Sequence, residues 1–299
     1  MALVPFDDRD GMIWWNGQLR PWRDAKLHVL SHGLHYGSAV FEGERAYGGN
    51  IFKLTEHSER LKNSAAILGY DVPYTVAEID EACRATLAAN NLTDAYVRPI
   101  AWRGSEQLAV SAKLTSINLA IAVWAWPNLF GADRMKGVRL GLAAWRRPHP
   151  ETAPTASKAA GLYMIGTMSK HKAEDQGFDD ALMLDWRGQV AEATGANIFF
   201  VIDGALHTPK PDCFLDGITR RTVMGIARRH GIKVVERAIL PEEMAQATEV
   251  FLAGTAAEVT PVRQIGELSF IPGPVTERLL RDYEALVQMS PEKVAALAA

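Results

Sequence analysis

The chain has 299 residues, 48% of them hydrophobic and 22% charged, with a net charge of −3. That length fits two packed domains with room to bury a large cofactor, and so small a charge excludes a nucleic-acid footprint or a polybasic membrane patch. Cys83 and Cys213 are far apart in no CxxC pattern, so they read as reduced packing residues rather than a disulfide framework or zinc ribbon.

The acidic start MALVPFDDRD leads into no apolar core of signal length. No later run approaches the ~20 apolar residues of a membrane span, so the chain reads as cytoplasmic, with small molecules as partners and neither nucleic acid nor membrane among them. IWWNGQLR is a predicted strand entering a turn at Asn16-Gly17, and AVFEGERAY and NIFKL are β-rich runs separated by Gly48-Gly49. Thr55 opens a predicted helix with Leu61, Ala65 and Leu68 on one face, and a second helix repeats the pattern through Val76, Ile79, Cys83 and Leu87. The alternating runs AYVRPIAW and INLAIAVW complete what reads as a mixed sheet backed by helices. Residues 126–137, with Pro, two Gly and mixed charge, form the expected interdomain linker between domains at 1–125 and 138–299. The second domain reads as strand-rich: GVRLGLAAW, then a helix from Leu162 to Gln176, then ALMLDWRGQVAEA and NIFFVIDGALHTP with turns near Arg187-Gly188 and Asp203-Gly204. Helices at Thr219 to His230, stopped by Gly231, and at Thr276 to Met289 follow.

Chemistry concentrates in four stations of this second half. Lys158 stands among Ala, Ser and Gly in APTASKAAGLY, where a flat ring could approach an amine able to lose its proton. Glu192 lies between Ala191 and Ala193 at a strand end, where a carboxylate needs a partner and a pyridinium nitrogen would supply one. In LDGITRR, Gly217 precedes a helix whose first-turn amides, with Thr219, suit a phosphate. In AGTAAEVTPV, successive amides from Gly254 to Ala257 could form an anion nest. Singly these read as a surface lysine, a hairpin-edge charge, a capped helix start and a small-residue turn; in this order they are the parts that hold pyridoxal 5'-phosphate. His28, His32 and His35 offer metal-like spacing, but no nearby carboxylate completes a known pattern and no metal is expected. Neither G-x-S-x-G, G-x-G-x-x-G nor G-x-x-x-x-G-K occurs, which leaves hydrolase, Rossmann and P-loop readings without a fingerprint.

With these stations in view, the chain resembles the branched-chain-amino-acid aminotransferases, class IV pyridoxal-phosphate enzymes of fold type IV, from about Ile13 to about Leu286. The likeness is most specific in HVLSHGLHYGSAVFEGERAY, EHSERLKNSA, AYVRPIAW, PTASKAAGLY, AEATGANIFF, LDGITR and GTAAEVTPV. The resemblance implies an α/β (α+β) fold: a small α/β domain, then a larger one with a β-barrel-like core, and the cofactor in the cleft between them. It implies Lys158 as Schiff-base lysine and proton shuttle, Glu192 facing the pyridine nitrogen and Tyr163 on the ring oxygen. Arg60, Ile218, Thr219 and Thr255, beside Gly254, would hold the phosphate, with Gly195 and Leu215 flanking the ring. For substrate it implies the Ala256-Ala257 amides, Tyr36, Arg45 and Tyr96 at the α-carboxylate, Phe41 at the side chain, and Arg98 at the distal carboxylate of glutamate. The activity implied is transamination between a branched-chain L-amino acid and 2-oxoglutarate by a homodimer or higher homo-oligomer. Leu162, Glu44 beside the substrate arginine, and a 126–137 linker without pocket aromatics depart from the pattern. They are expected to affect substrate choice, and leave open an (R)-selective amine or D-amino-acid transaminase, or an aminodeoxychorismate-lyase-like enzyme.

Overall fold

A computed structural model describes residues 4–126, 134–290 and 292–294. The chain divides into two compact units, residues 1–127 with 157–161, and residues 128–156 with 162–299. The segment that carries Lys158 therefore belongs with the first unit, although its sequence position put it in the second domain. Most of the expected linker, residues 127–133, lies outside the described residues.

The first unit contains β1 (Met12–Trp15), β2 (Gln18–Pro21), the one-turn α1 (His32–His35), β3 (Ala39–Phe41), β4 (Glu44–Tyr47) and β5 (Asn50–Ile51). The helices α2 (Leu54–Ile67) and α3 (Val76–Ala89) and the long strands β6 (Ala95–Arg103) and β7 (Ile117–Ala125) follow. Asn16 and Gly17 take φ of 47° and 92°, and Gly48 and Gly49 take 54° and 88°, the left-handed pairs that turn β1 into β2 and β4 into β5. Among the described residues every pairing in this sheet is antiparallel, so it is not the mixed sheet expected from the alternating strand and helix signals. The predicted strand AVFEGERAY breaks at Glu42-Gly43 into two pieces that both pair with β6.

One face of the sheet buries Val97, Ala101, Leu119 and Ile121 against Leu61, Ala65, Ile79 and Cys83 of α2 and α3. A capping box of Thr75 and Glu78 starts α3, and Asp80 accepts hydrogen bonds from Thr55 and Ser58, tying the two helices together.

The second unit holds β8 (Val138–Leu142), α4 (Met164–Asp175), β9 (Asp180–Leu184), β10 (Val190–Ala193), β11 (Asn197–Ile202) and β12 (Ala205–Pro209). These are followed by α5 (Ile218–Arg229), β13 (Val234–Arg237), β14 (Glu249–Gly254), β15 (Glu258–Ile265), β16 (Leu268–Ser269) and α6 (Pro274–Val287). The helix expected from Leu162 instead begins after a single 3-10 turn, Ala160–Leu162. Six strands close into a ring in the order β8, β9, β10, β11, β14, β15 and back to β8. Leu140, Leu182, Ile198, Phe200, Val250, Leu252 and Val262 belong to its packed core. The alternate residues Phe199 and Phe251 stack at 5.0 Å, and α5 and α6 pack along β14. No helix of the described residues is long and apolar enough to cross a membrane.

Glu44 is fully buried, and neither carboxylate oxygen has a hydrogen-bond partner. Burial, then the charges of Glu42 and Asp80, push its carboxyl well above the usual range, with Arg60 only partly opposing them. Because the folded-state pKa is raised, the group contributes nothing below the ordinary carboxylate range. As pH rises through that range the unfolded chain releases a proton that the folded chain keeps, and stability falls. The stability advantage of Glu44→Met over the parent is therefore expected to widen from pH 5 to pH 8, at up to about 1.4 kcal/mol per pH unit. Urea unfolding at a series of pH values checks this, and a difference flat with pH contradicts it.

Candidate active site

In the first unit, Phe41 of β3 donates its amide to the Lys158 carbonyl at 3.2 Å, while Val40 and Ala159 form an antiparallel bridge. The lysine segment thus continues the sheet beyond β3. Its other anchor is Ser64 on α2, whose hydroxyl accepts the Lys158 amide at 3.0 Å and whose carbonyl accepts the Ser157 hydroxyl at 2.9 Å. The Lys158 Nζ lies 5.2 Å from the centre of the Phe41 ring.

Arg60 stands one helical turn before Ser64. Its Nε and Nη2 donate to the two oxygens of Glu42 at 2.7 and 2.8 Å, and His57 Nδ1 joins the second oxygen at 2.7 Å. Burial alone would raise the Glu42 carboxyl, but the Arg60 charge and the hydrogen bonds from Arg60 and His57 outweigh it and hold the group well below the usual range. Burial lowers the pKa of His57 in spite of Glu42, and Nδ1 is the donor because the carboxylate it meets only accepts.

The sheet face opposite the helices carries the residues expected at the substrate. Arg45 pairs across the ladder with Tyr96, and Phe41 with Ile100, so the alternation puts Phe41, Arg45, Tyr96 and Arg98 on one face. Arg98 donates to the Tyr96 hydroxyl at 3.1 Å and sits 4.6 Å from the Phe41 ring centre, while its Nε is buried without a hydrogen-bond partner. Gly43 makes room for this arrangement, since a Cβ there would lie 1.9 Å from the Tyr96 hydroxyl.

Two expectations change. Glu44 lies on the face away from Arg45, among Glu42, Asp80 and Cys83, and cannot act directly on substrate choice. The linker does bring an aromatic residue, because Trp126 packs 4.8 Å from Tyr96 and beside Arg45. Tyr36 is half-exposed, with its ring against His32 and His35. His32 is itself engaged by the Ser38 hydroxyl and the Ala109 carbonyl.

In the second unit, Glu192 on β10 faces Asn197 on β11, the residue pair that joins these two strands. Arg147 Nε lies 3.0 Å from one oxygen of Glu192, as an ion pair without hydrogen-bond alignment, and the Asn197 amide donates to the other at 3.1 Å. The same amide nitrogen donates to the Leu215 carbonyl at 3.1 Å. A Cβ on Gly217 would lie 2.2 Å from the Asn197 oxygen, so this glycine permits the close approach. Asn197 therefore gathers Glu192, Leu215 and the start of α5, stations separated in sequence. Neither Asn197, Arg147 nor Glu42 was singled out from the sequence, because each acts through a partner far along the chain.

Gly217 caps the 12-residue α5 with no side-chain hydrogen bond to its first turn, where Ile218 and Thr219 sit buried. Those amides, pointing from the helix start, suit an anion. The turn Thr255-Ala256-Ala257 joins β14 to β15, with Gly254 opposite Glu258. Glu258 has a φ of 52° and is paired with Arg134, and the Thr260 hydroxyl donates to the Ala257 carbonyl at 2.5 Å. Gly195, Ala256 and Ala257, with Thr194 and Leu252, line a cavity of about 240 Å³. Tyr163, half-buried, immediately precedes α4. An uncapped helix start for a phosphate, a paired carboxylate for a ring nitrogen, small-residue turns and a lysine among small neighbours fit a phosphorylated pyridine aldehyde.

Residues 39–265 match the amino-transferase class IV family. The chain is 42% identical to the branched-chain-amino-acid aminotransferase of Pseudomonas aeruginosa, covering 94% of each chain. It is 40% identical to that of Escherichia coli K12, covering 92% of each. Among solved structures, it resembles the branched-chain aminotransferase from Thermoproteus uzoniensis with norvaline (TM-score 0.91, 38% identity, 97% and 98% coverage). It also resembles the branched-chain amino acid aminotransferase from Thermobaculum terrenum in its PLP-bound holo-form (TM-score 0.87, 30% identity, 96% and 97% coverage).

Gly43→Ala is expected to push Tyr96 off Arg98 and to cost about 1–3 kcal/mol in denaturant unfolding. Gly225→Ala on α5, where a Cβ would meet nothing nearer than 3.8 Å, is expected to be neutral or stabilising. Equal effects at the two positions would contradict the close approach at Gly43.

Proposed function

The chain belongs to the class IV aminotransferase family, and we propose that it exchanges the amino group of a branched-chain L-amino acid with 2-oxoglutarate, using pyridoxal 5'-phosphate. The observation that carries this reading is the joint setting of Lys158, Arg60 and the Arg45-Tyr96-Arg98 face, in a chain about 40% identical to branched-chain aminotransferases along nearly its whole length.

When bound, the cofactor supplies a carbonyl carbon that accepts an amine and a ring that withdraws electrons from it. Lys158 would hold the cofactor, and its amine would move the proton at the substrate Cα. Glu192, kept beside the cation of Arg147 and the amide of Asn197, holds a proton on the ring nitrogen. Tyr163 would donate to the ring oxygen, Gly195 and Leu215 would hold the ring, and Arg60, Ile218, Thr219 and Thr255, beside Gly254, would bind the phosphate.

The Ala256 and Ala257 amides, with Tyr36, Arg45 and Tyr96, orient the substrate α-carboxylate. Phe41 lines the side-chain pocket. Arg98, whose Nε has no hydrogen-bond partner, takes the second carboxylate of glutamate. Placing Glu44 on the helix side of the sheet removes one of the reasons for an (R)-amine or D-amino-acid donor.

Adding L-leucine, L-glutamate, D-alanine and (R)-1-phenylethylamine separately to the holoenzyme, and following its cofactor absorbance, tests the assignment. Conversion by the first two donors alone is expected; conversion by the (R)-amine and not by L-leucine contradicts it. Lys158→Ala should lower the half-reaction rate by about 10²–10⁴-fold, the usual worth of a positioned acid-base group.

The homodimer or larger homo-oligomer is part of the same reading. It is supported by exposed apolar side chains at Val29, Leu34, Leu108, Val110 and Leu114, on segments joined by the His32 contact with Ala109. Sedimentation equilibrium should give at least twice the chain mass. Val110→Asp combined with Leu114→Asp should lower that mass, and a parent protein that sediments as a monomer would contradict the proposal.

A further inference from the structure

Glu42 is fully buried, and its carboxylate is engaged by Arg60 and His57. Its backbone amide donates to the Pro99 carbonyl at 2.8 Å, so its position is fixed by the central strand of the sheet. It directly follows Phe41, whose amide holds the Lys158 carbonyl, and Lys158 is held in turn by Ser64, one helical turn from Arg60. These contacts form a closed circuit: Lys158, Ser64, α2, Arg60, Glu42, Phe41 and back to Lys158. A long, rotatable arginine side chain is thereby held in register with a lysine that lies 98 positions later in the chain.

The geometry points to Glu42 as a positioning residue that presents Arg60 to the phosphate of the ligand held by Lys158. This inference rests on the cofactor reading above. Two effects of the carboxylate compete. Its charge opposes an incoming phosphate, while its two-pronged grip removes the rotamer freedom that Arg60 would otherwise lose on binding. The grip prevails, because Glu42 restrains both Nε and Nη2 of the guanidinium. In Glu42→Gln the new amide group would turn a donor toward donors, either Arg60 Nη2 and His57 Nδ1 or Arg60 Nε, and Arg60 would be released.

The test compares binding of pyridoxal 5'-phosphate and of pyridoxal, which lacks the phosphate, to apo-protein, read from cofactor absorbance rather than turnover. The parent is expected to prefer the phosphorylated form. Glu42→Gln is expected to weaken that form by at least about tenfold, the loss of one hydrogen bond to a charged group, and to leave pyridoxal within about twofold. In an Arg60→Met background the same change should leave the preference within about twofold, because Glu42 then has no arginine to present. If Glu42→Gln fails to fold, Glu42→Asp, which keeps the charge but shortens the reach, should likewise lower the preference. An unchanged preference, equal weakening of both ligands, tighter binding of the phosphorylated form, or a further loss in the Arg60→Met background overturns the role of Glu42. A parent without any preference overturns the cofactor reading itself.

Discussion

A single residue pair closes the barrel of the second unit. Glu192 on β10 sits opposite Asn197 on β11, and through that pairing the six strands become a ring. The same two side chains touch, and the Asn197 amide extends the contact to Leu215 while its oxygen packs against the glycine that starts α5. A buried carboxylate at a strand junction would ordinarily be costly. Here the Arg147 cation and the Asn197 amide compensate it, and the backbone it locks includes the uncapped helix start. The joint that completes the fold is thus also the one that sets a carboxylate and an uncapped helix terminus in a defined relation.

The first unit separates its duties by face. Alternation along β4 and β6 sends apolar residues into α2 and α3 and sends Arg45, Tyr96 and Arg98 to the opposite side. On the helix side Glu42, Arg60, His57, Asp80 and Glu44 lie near one another, and they differ sharply. Glu42 is compensated and ionised, whereas Glu44, two residues on, lacks any hydrogen-bond partner and is held neutral by burial and its acidic neighbours. Such a residue weakens the fold at neutral pH.

What was legible in the sequence follows from how local each signal is. Asn16-Gly17, Gly48-Gly49 and Asp203-Gly204 announce their turns because their left-handed backbone is a property of two adjacent residues. Helices α2, α3, α5 and α6 were recognisable from one-sided apolar spacing. The break between β3 and β4 was not, and the Tyr96 hydroxyl that leaves no room for a Cβ at Gly43 comes from another strand. Family resemblance pointed to Lys158, Glu192 and the arginines, but the residues that hold them, Glu42, Ser64, Arg147 and Asn197, carry no motif of their own. Their meaning comes from partners up to 94 positions away, as between Ser64 and Lys158. Glu44 was misjudged for the same reason: its neighbour in sequence is Arg45, whereas its neighbours in space are Glu42, Asp80 and Cys83.

The central proposal is that Lys158 and Glu192 serve one pyridoxal 5'-phosphate whose phosphate would rest on the start of α5. A crystal structure of the protein grown with that cofactor tests it most directly. The account predicts continuous density from Lys158 Nζ to the cofactor, the Glu192 carboxylate within hydrogen-bond distance of the ring nitrogen, and the phosphate on the Ile218 and Thr219 amides. A cofactor bonded to another lysine, or a ring nitrogen facing away from Glu192, would contradict it.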